Sequence, residues 1–381
     1  MHHIQRVLGR LAGVTAMAAL AATAVTTTAQ AQDIPVVSIQ AVTGVAAFAG
    51  ANYQKAIRLA VDEFNQKGGV NGQKIDLMER DNASDKGQAI NLVNQAIDRD
   101  RAVLVLGPSS SADGVAVAPI FSDKKTPNLS FATTDAILKP GPWTLKFQQA
   151  PSVVSPLVAK YVLEKTPVRK VAIVFDRTNE GLIDYKNHFR DPFKAGGGTI
   201  VTEEAVVSAD SNFLPLATKL KSLDVDGVYF ATYGEQSANM ILQLRQAGLS
   251  DKVRFIGTIA MVSQKFLGMT GAAGEGAIAV SDYVPGVGRP LNKTFEAAYK
   301  ARWGTEPDNW AASAYSLAQV ALATLKEAGP NPTRDKVLAA YHKVRDVPIV
   351  GGAGVWNQKD RVPSYGAIVL LAKDGKFIAA P

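Results

Sequence analysis

Short apolar runs alternate along this chain with longer segments whose apolar residues recur every three to four positions. This alternation constrains the fold more than any other feature. The run 36–39 reads as a strand, and 51–67 as a helix with Ile57, Ala60, Val61 and Phe64 on one stripe and Gly68-Gly69 as its stop. Residues 75–78 form the next strand, 89–98 the next helix, with Ile90, Val93 and Ile97 facing inward, and 103–106 a third strand. The pattern pauses at 148–152 and restarts with a helix over 155–164, a buried strand at 170–175, a helix at 182–195, a strand at 199–201, a helix at 213–223, and strands at 227–230 and 254–257. A strand at 277–280, helical segments at 291–302, 309–327 and 333–343, and a terminal strand at 367–371 complete the chain. Strand, helix and strand repeated at this spacing build a parallel sheet covered on both faces. The reading is α/β: two doubly wound units, then a mostly helical return.

Residues 1–31 read as a cleaved targeting signal. Arg6 and Arg10 form the positive region, 11–25 is apolar and rich in Ala, and Ala29-Gln30-Ala31 fits the cleavage pattern, leaving 350 residues that begin at Gln32. The apolar stretch is too short to span a bilayer comfortably. The expectation is an exported product in the periplasm. The chain has no cysteine, so lipid anchoring at a cleavage-site Cys is excluded and the core alone must hold the fold. Loss of the two arginines lowers the net charge from +7 to +5, with Lys and Arg scattered among Asp and Glu. Nothing in that balance favours nucleic acid.

Two hydroxyl-rich clusters follow consecutive apolar runs: Gly107-Pro108-Ser109-Ser110-Ser111, and Ser130-Phe131-Ala132-Thr133-Thr134. Backbone N–H groups and hydroxyls at two neighbouring strand ends can cradle a carboxylate. Serine after a strand also caps helices; two clusters on consecutive strand ends tilt the reading toward a ligand site.

Other chemistries lack their residues. Two histidines, His188 and His342, lie beyond the signal, and with no Cys a zinc site has no ligand set. There is no phosphate-loop motif, and the Gly107 loop lacks the second glycine of a nucleophile elbow. Gly196-Gly197-Gly198 reads as a turn, and Asp81-Asn82-Ala83-Ser84-Asp85 lacks the register and terminal Glu of a calcium loop. An exported hydrolase would need a nucleophile beside a base, and neither histidine lies in a candidate loop. No metal, cofactor or catalytic residue is expected.

At residues 60–72 (Ala-Val-Asp-Glu-Phe-Asn-Gln-Lys-Gly-Gly-Val-Asn-Gly), at the two hydroxyl clusters and at Val228-Tyr229-Phe230 through Tyr233, the chain resembles the periplasmic substrate-binding proteins of the leucine/isoleucine/valine type that serve ABC importers. The resemblance runs over essentially all of residues 32–381. It implies two lobes, 32–149 plus 282–362 and 150–281 plus 363–381, joined by three crossovers near 148–150, 281–283 and 362–364. It further implies a monomer that hands its ligand to an inner-membrane ABC permease. Carried over residue by residue, Ser111, next to Ser110, holds the ligand carboxylate. Ala132 offers a carbonyl to the ammonium, and Thr134, beside Thr133, contacts the same polar end. Tyr233 closes over the ligand, and Trp310 and Phe48 supply pocket aromatics. Ser84 and Ser110 stand where some relatives have a disulfide.

Two departures bear on the ligand. The acid that pairs with the ammonium is replaced by Ile259, and a tyrosine position is taken by Glu180 before Gly181. An unpartnered buried charge costs about 3–5 kcal/mol, and about 1.4 kcal/mol is tenfold in affinity. An amino acid would therefore bind at least about a hundredfold worse unless Glu180 supplies the carboxylate. The alternatives are an aromatic or aliphatic carboxylate without an amino group, and a periplasmic sensor that presents its ligand to a signalling receptor.

Overall fold

The computed structural model describes residues 32–381; the targeting signal read at 1–31 lies outside the described residues. The first part of the chain runs β1 (Ile34–Gln40), α1 (Ala47–Gln66), β2 (Ile75–Asp81), α2 (Lys86–Asp98), β3 (Leu104–Leu106), α3 (Ser111–Asp123), β4 (Asn128–Ser130) and β5 (Thr144–Lys146). These strands form one parallel sheet in the order β2-β1-β3-β4-β5. Alternate residues of β1 point to opposite faces, and both are buried: Val36 and Val37 are each at most 1% exposed. That is why the strand reads as a continuous apolar run rather than an alternating one. Val36 packs with α1 on one face and Val37 with α2 and α3 on the other. Each such side chain, fully buried, contributes about 1.5–3 kcal/mol.

The second part comprises α4 (Pro151–Lys165), β6 (Lys170–Asp176), α5 (Glu180–Ala195), β7 (Thr199–Val206), α6 (Leu214–Ser222), β8 (Gly227–Ala231), α7 (Gly234–Gln246), β9 (Arg254–Gly257), α8 (Gln264–Thr270) and β10 (Ile278–Ser281). Its sheet continues the same logic in the order β7-β6-β8-β9-β10, with a core on each face. The chain then returns to the first sheet through α9 (Pro290–Trp303), α10 (Asn309–Ala328) and α11 (Arg334–Tyr341). α10 packs on α1 in one core with β1 and β3. β11 (Val347–Pro348), β12 (Val355–Lys359) and β13 (Val362–Ser364) make a small antiparallel sheet. Finally β14 (Ile368–Lys373) and β15 (Lys376–Ala379) join the edge of the second sheet beside β10.

Three differences from the sequence reading stand out. The terminal strand is an antiparallel hairpin, β14 and β15 turning at Asp374-Gly375, so the second sheet is mixed at that edge. β15 is only four residues, Lys376-Phe377-Ile378-Ala379, mostly exposed and too short to show a period. α7 went unassigned because it follows directly on a strand end, yet Met240, Ile241 and Leu244 bury one face of it. β5 and β11–β13 are too short to show a period.

Each parallel sheet reverses its order next to its first strand: β1 lies between β2 and β3, and β6 between β7 and β8. Such a switch point opens a crevice at the strands' C-terminal ends, where neighbouring loops diverge. Among the described residues no helix is long and apolar enough to cross a membrane.

Candidate functional site

The loops from both switch points meet around one cavity, with about 80 Å³ of space for the centre of a water-sized group. From the first sheet come Ala46 and Phe48 after β1, Ser109, Ser110 and Ser111 after β3, and Phe131 and Thr133 after β4. From the second come Asn179, Gly181 and Leu182 after β6, Tyr233 after β8, and Thr258, Ile259 and Ala260 after β9. Ala49, Tyr53, Gln148, Tyr185 and Trp310 complete the wall.

The turn after β3 is built for close approach. Gly107 has φ +105°, and a Cβ there would lie 2.1 Å from the Ile39 carbonyl oxygen, so only glycine fits. The three serines that follow are each committed. Ser109 Oγ accepts from Ala41 N at 2.9 Å and donates to Gln40 Oε1 at 2.9 Å. Ser110 caps α3, accepting from Asp113 N at 3.1 Å. Ser111 Oγ accepts from Thr133 N at 3.0 Å and lies 3.3 Å from Thr133 Oγ1. With its acceptor side engaged by an N–H, the Ser111 hydroxyl proton is available to a ligand oxygen.

Opposite stands the start of α5. Asn179 caps it, Oδ1 accepting from Gly181 N at 2.9 Å and Leu182 N at 3.3 Å, while Nδ2 donates to the Tyr233 hydroxyl at 2.8 Å. A Cβ on Gly181 would stand 2.3 Å from Ser111 Oγ and 2.6 Å from Thr133 Oγ1. The second sheet therefore closes on the hydroxyl pair of the first through a residue without a side chain.

Helices α3, α5, α7 and α10 all begin at the cavity, with Ser111, Gly181, Tyr233 and Trp310 at or next to their first residues. Each N-terminus carries roughly half a positive charge and unpaired N–H groups. No charged side chain is among the described residues that line the cavity. These N-termini favour an anion at the lining, while the carboxylates that bear on its tyrosines, Asp282, Asp308, Asp176 and Asp113, stand outside the lining.

The walls are aromatic. Tyr53 stacks on Phe131 with ring centres 3.9 Å apart, and Trp310 meets Phe48 and Tyr53 edge-on at 5.4 and 5.9 Å. Phe48 also meets Tyr233 edge-on at 6.2 Å. Burial pushes the Tyr233 hydroxyl up to about 12 and raises Tyr53 and Tyr185 as well, so all three stay protonated. Behind Trp310, the α10 cap Asp308 accepts from Ala311 N at 2.9 Å and from Asn52 Nδ2 at 2.8 Å. Burial lifts its carboxyl to about 6.

With this geometry in view, comparison with known proteins is decisive. The family model for periplasmic binding proteins matches residues 33–376. The chain belongs to that family. Its members here are solute-binding proteins, not enzymes. The Leu/Ile/Val-binding protein of Escherichia coli is 28% identical over 346 residues, covering 88% of this chain and 90% of the relative. A leucine binding protein from Thermotoga maritima shares the fold with a TM-score of 0.84 at 22% identity, covering 91% of this chain and 98% of that one. The solute binding protein of an ABC transporter from R. palustris, solved with benzoate, gives a TM-score of 0.82 at 20% identity, covering 91% and 95%.

Of the residues singled out in the sequence, Phe48, Ser110, Ser111, Thr133, Tyr233, Ile259 and Trp310 line the cavity of this family member. Ala132, Thr134 and Glu180 are not among the lining residues. Thr134 Oγ1 caps the following short helix, accepting from Ala136 N at 3.2 Å. Ala132 is fully buried against Ile137. Glu180 sits one residue outside the lining, its Oε2 buried without a hydrogen-bond partner. Tyr53, Gln148, Asn179 and Tyr185 went unread. Tyr53 continues the α1 stripe one turn earlier; Asn179 carried a legible signal, a cap residue directly before α5.

Proposed function

We propose that this protein is the periplasmic solute-binding component of an ABC importer, capturing a small carboxylate with an aromatic or branched apolar body and no ammonium group. The observation that carries the reading is the cavity's electrostatics. Four helix N-termini converge on it, the lining has no carboxylate, and Ile259 stands at the position of the ammonium-pairing acid. The ligand carboxylate docks at Ser111, Thr133 and the first turns of α3 and α5, and its body lies among Phe48, Tyr53, Phe131 and Trp310. The lobes 32–149 plus 282–362 and 150–281 plus 363–381 close over it about the three crossovers, bringing Gly181 and Tyr233 down, and the closed monomer presents the surface that the permease reads. The benzoate-bound relative of the same fold is consistent with such a ligand.

A second reading, a branched-chain amino acid, is favoured by the names of the 28%-identical relatives. It requires a carboxylate for the ammonium, and the unpartnered Glu180 Oε2 beside Gly181 is the group that would turn inward to supply it. Titration calorimetry of residues 32–381 with benzoate and with leucine decides between them. The first reading expects benzoate to bind at least about a hundredfold more tightly than leucine. Tighter binding of leucine, abolished in Glu180→Gln, would establish the second.

A further inference from the structure

Behind Ile259 and Tyr185 lies a second, smaller cavity, with about 10 Å³ of space for the centre of a water-sized group. That is the room of a single water or hydroxyl. It shares Gln148, Tyr185 and Ile259 with the main cavity, so the two adjoin. Its polar wall is drawn from three separate segments: Gln148 and Gln149 after β5, Asp282 after β10, and Tyr365 after β13. Asp282 is 7% exposed. Its Oδ2 is 3.1 Å from the Tyr365 hydroxyl, which also lies 2.9 Å from Gln148 Oε1. Its Oδ1 is buried and has no hydrogen-bond partner. A buried carboxylate oxygen without a partner is costly, and here it belongs to a residue on the wall of a space that adjoins the ligand cavity.

We propose that Asp282 is a second polar pole of the binding site, its Oδ1 accepting a hydrogen bond from a hydroxyl carried on the ligand at the end remote from Ser111. This rests on the carboxylate reading above and narrows it to hydroxylated acids. The group accepted is a hydroxyl rather than an ammonium because the helix N-termini that favour the ligand's carboxylate oppose a cation nearby.

The titratable groups coupled to Asp282 are Tyr53 from α1, Tyr185 from α5 and Tyr365 after β13; no cation is among the described residues lining these two cavities, and Arg289 shares with Asp282 the wall of a further one. All three tyrosines are held well above their ordinary range by burial. Burial also lifts the Asp282 carboxyl to about 6. Asp308 behind Trp310 titrates in the same range, but only Asp282 is on the wall of the smaller cavity, and its charge-assisted bond to a hydroxyl is present above about pH 6 and weakens below it.

The test compares benzoate with 3- and 4-hydroxybenzoate by calorimetry on residues 32–381. At pH 8 one hydroxylated acid binds at least about tenfold more tightly than benzoate. That ratio shrinks as pH falls through about 6, and it drops to near one in Asp282→Asn. The wild-type ratio and its pH profile need no variant, so they decide the matter even where the substitution harms folding. Benzoate binding as tightly as both hydroxylated acids at pH 8 overturns the second pole and leaves the carboxylate reading standing. A hydroxyl preference that does not change with pH overturns Asp282 as its source. Binding of leucine and of none of the three acids overturns both readings together.

Discussion

The loops after β3 and β4 look alike in sequence, each a cluster of small hydroxyl residues at a strand end, yet they meet the cavity differently. After β3 the chain turns straight into α3, and Ser109, Ser110 and Ser111 all reach the lining. After β4 the chain stays extended, and alternate residues face opposite ways. Phe131 and Thr133 face the cavity, Ala132 and Thr134 do not. The local backbone, not the number of hydroxyls, decides which of them can touch a ligand. It also explains why the Ser111–Thr133 pair, rather than Ser111 with Thr134, faces Gly181 across the site.

The sharpest way to break this comparison is Gly181→Ala. The new methyl meets both hydroxyls of the pair, and overpacking of this kind costs about 1–3 kcal/mol. Benzoate affinity is expected to fall between about tenfold and a hundredfold by calorimetry, with little loss of melting temperature if the lobes simply fail to close. Ser111→Ala comes next. It leaves Thr133 N without its partner and takes a donor from the ligand, lowering affinity by about tenfold; an affinity unchanged within error places the carboxylate elsewhere. Thr134→Ala has the smallest effect on binding. It removes a cap worth about 0.5–2 kcal/mol, so thermal unfolding moves by a few degrees and affinity changes less than in Ser111→Ala. A larger binding loss in Thr134→Ala than in Ser111→Ala would reverse the assignment of the two loops.

Much of this was readable from local pattern. The strand read at 170–175 is β6, extended by one residue, and the helix read at 309–327 is α10. Apolar runs and helical stripes are set by neighbours in the chain, and so are caps such as Asp85, whose side chain accepts from Gln88 N at 2.6 Å. The misses came where pattern is short or shared. β5 has three residues. Tyr53 lies on a stripe whose other members are plain core, and its role depends on Phe131, 78 positions further on and stacked against it.

The sequence by itself determined the α/β alternation and the two hydroxyl-rich strand ends, because each is a property of residue type and local spacing. Only the tertiary structure decided that both switch points open on one cavity and that Thr133 rather than Thr134 faces it. It alone set Asp282 beside Tyr365 and near Gln148, far apart in the chain, with one oxygen unpartnered. Burial and desolvation are sums over segments far apart in the chain, and no local window contains them.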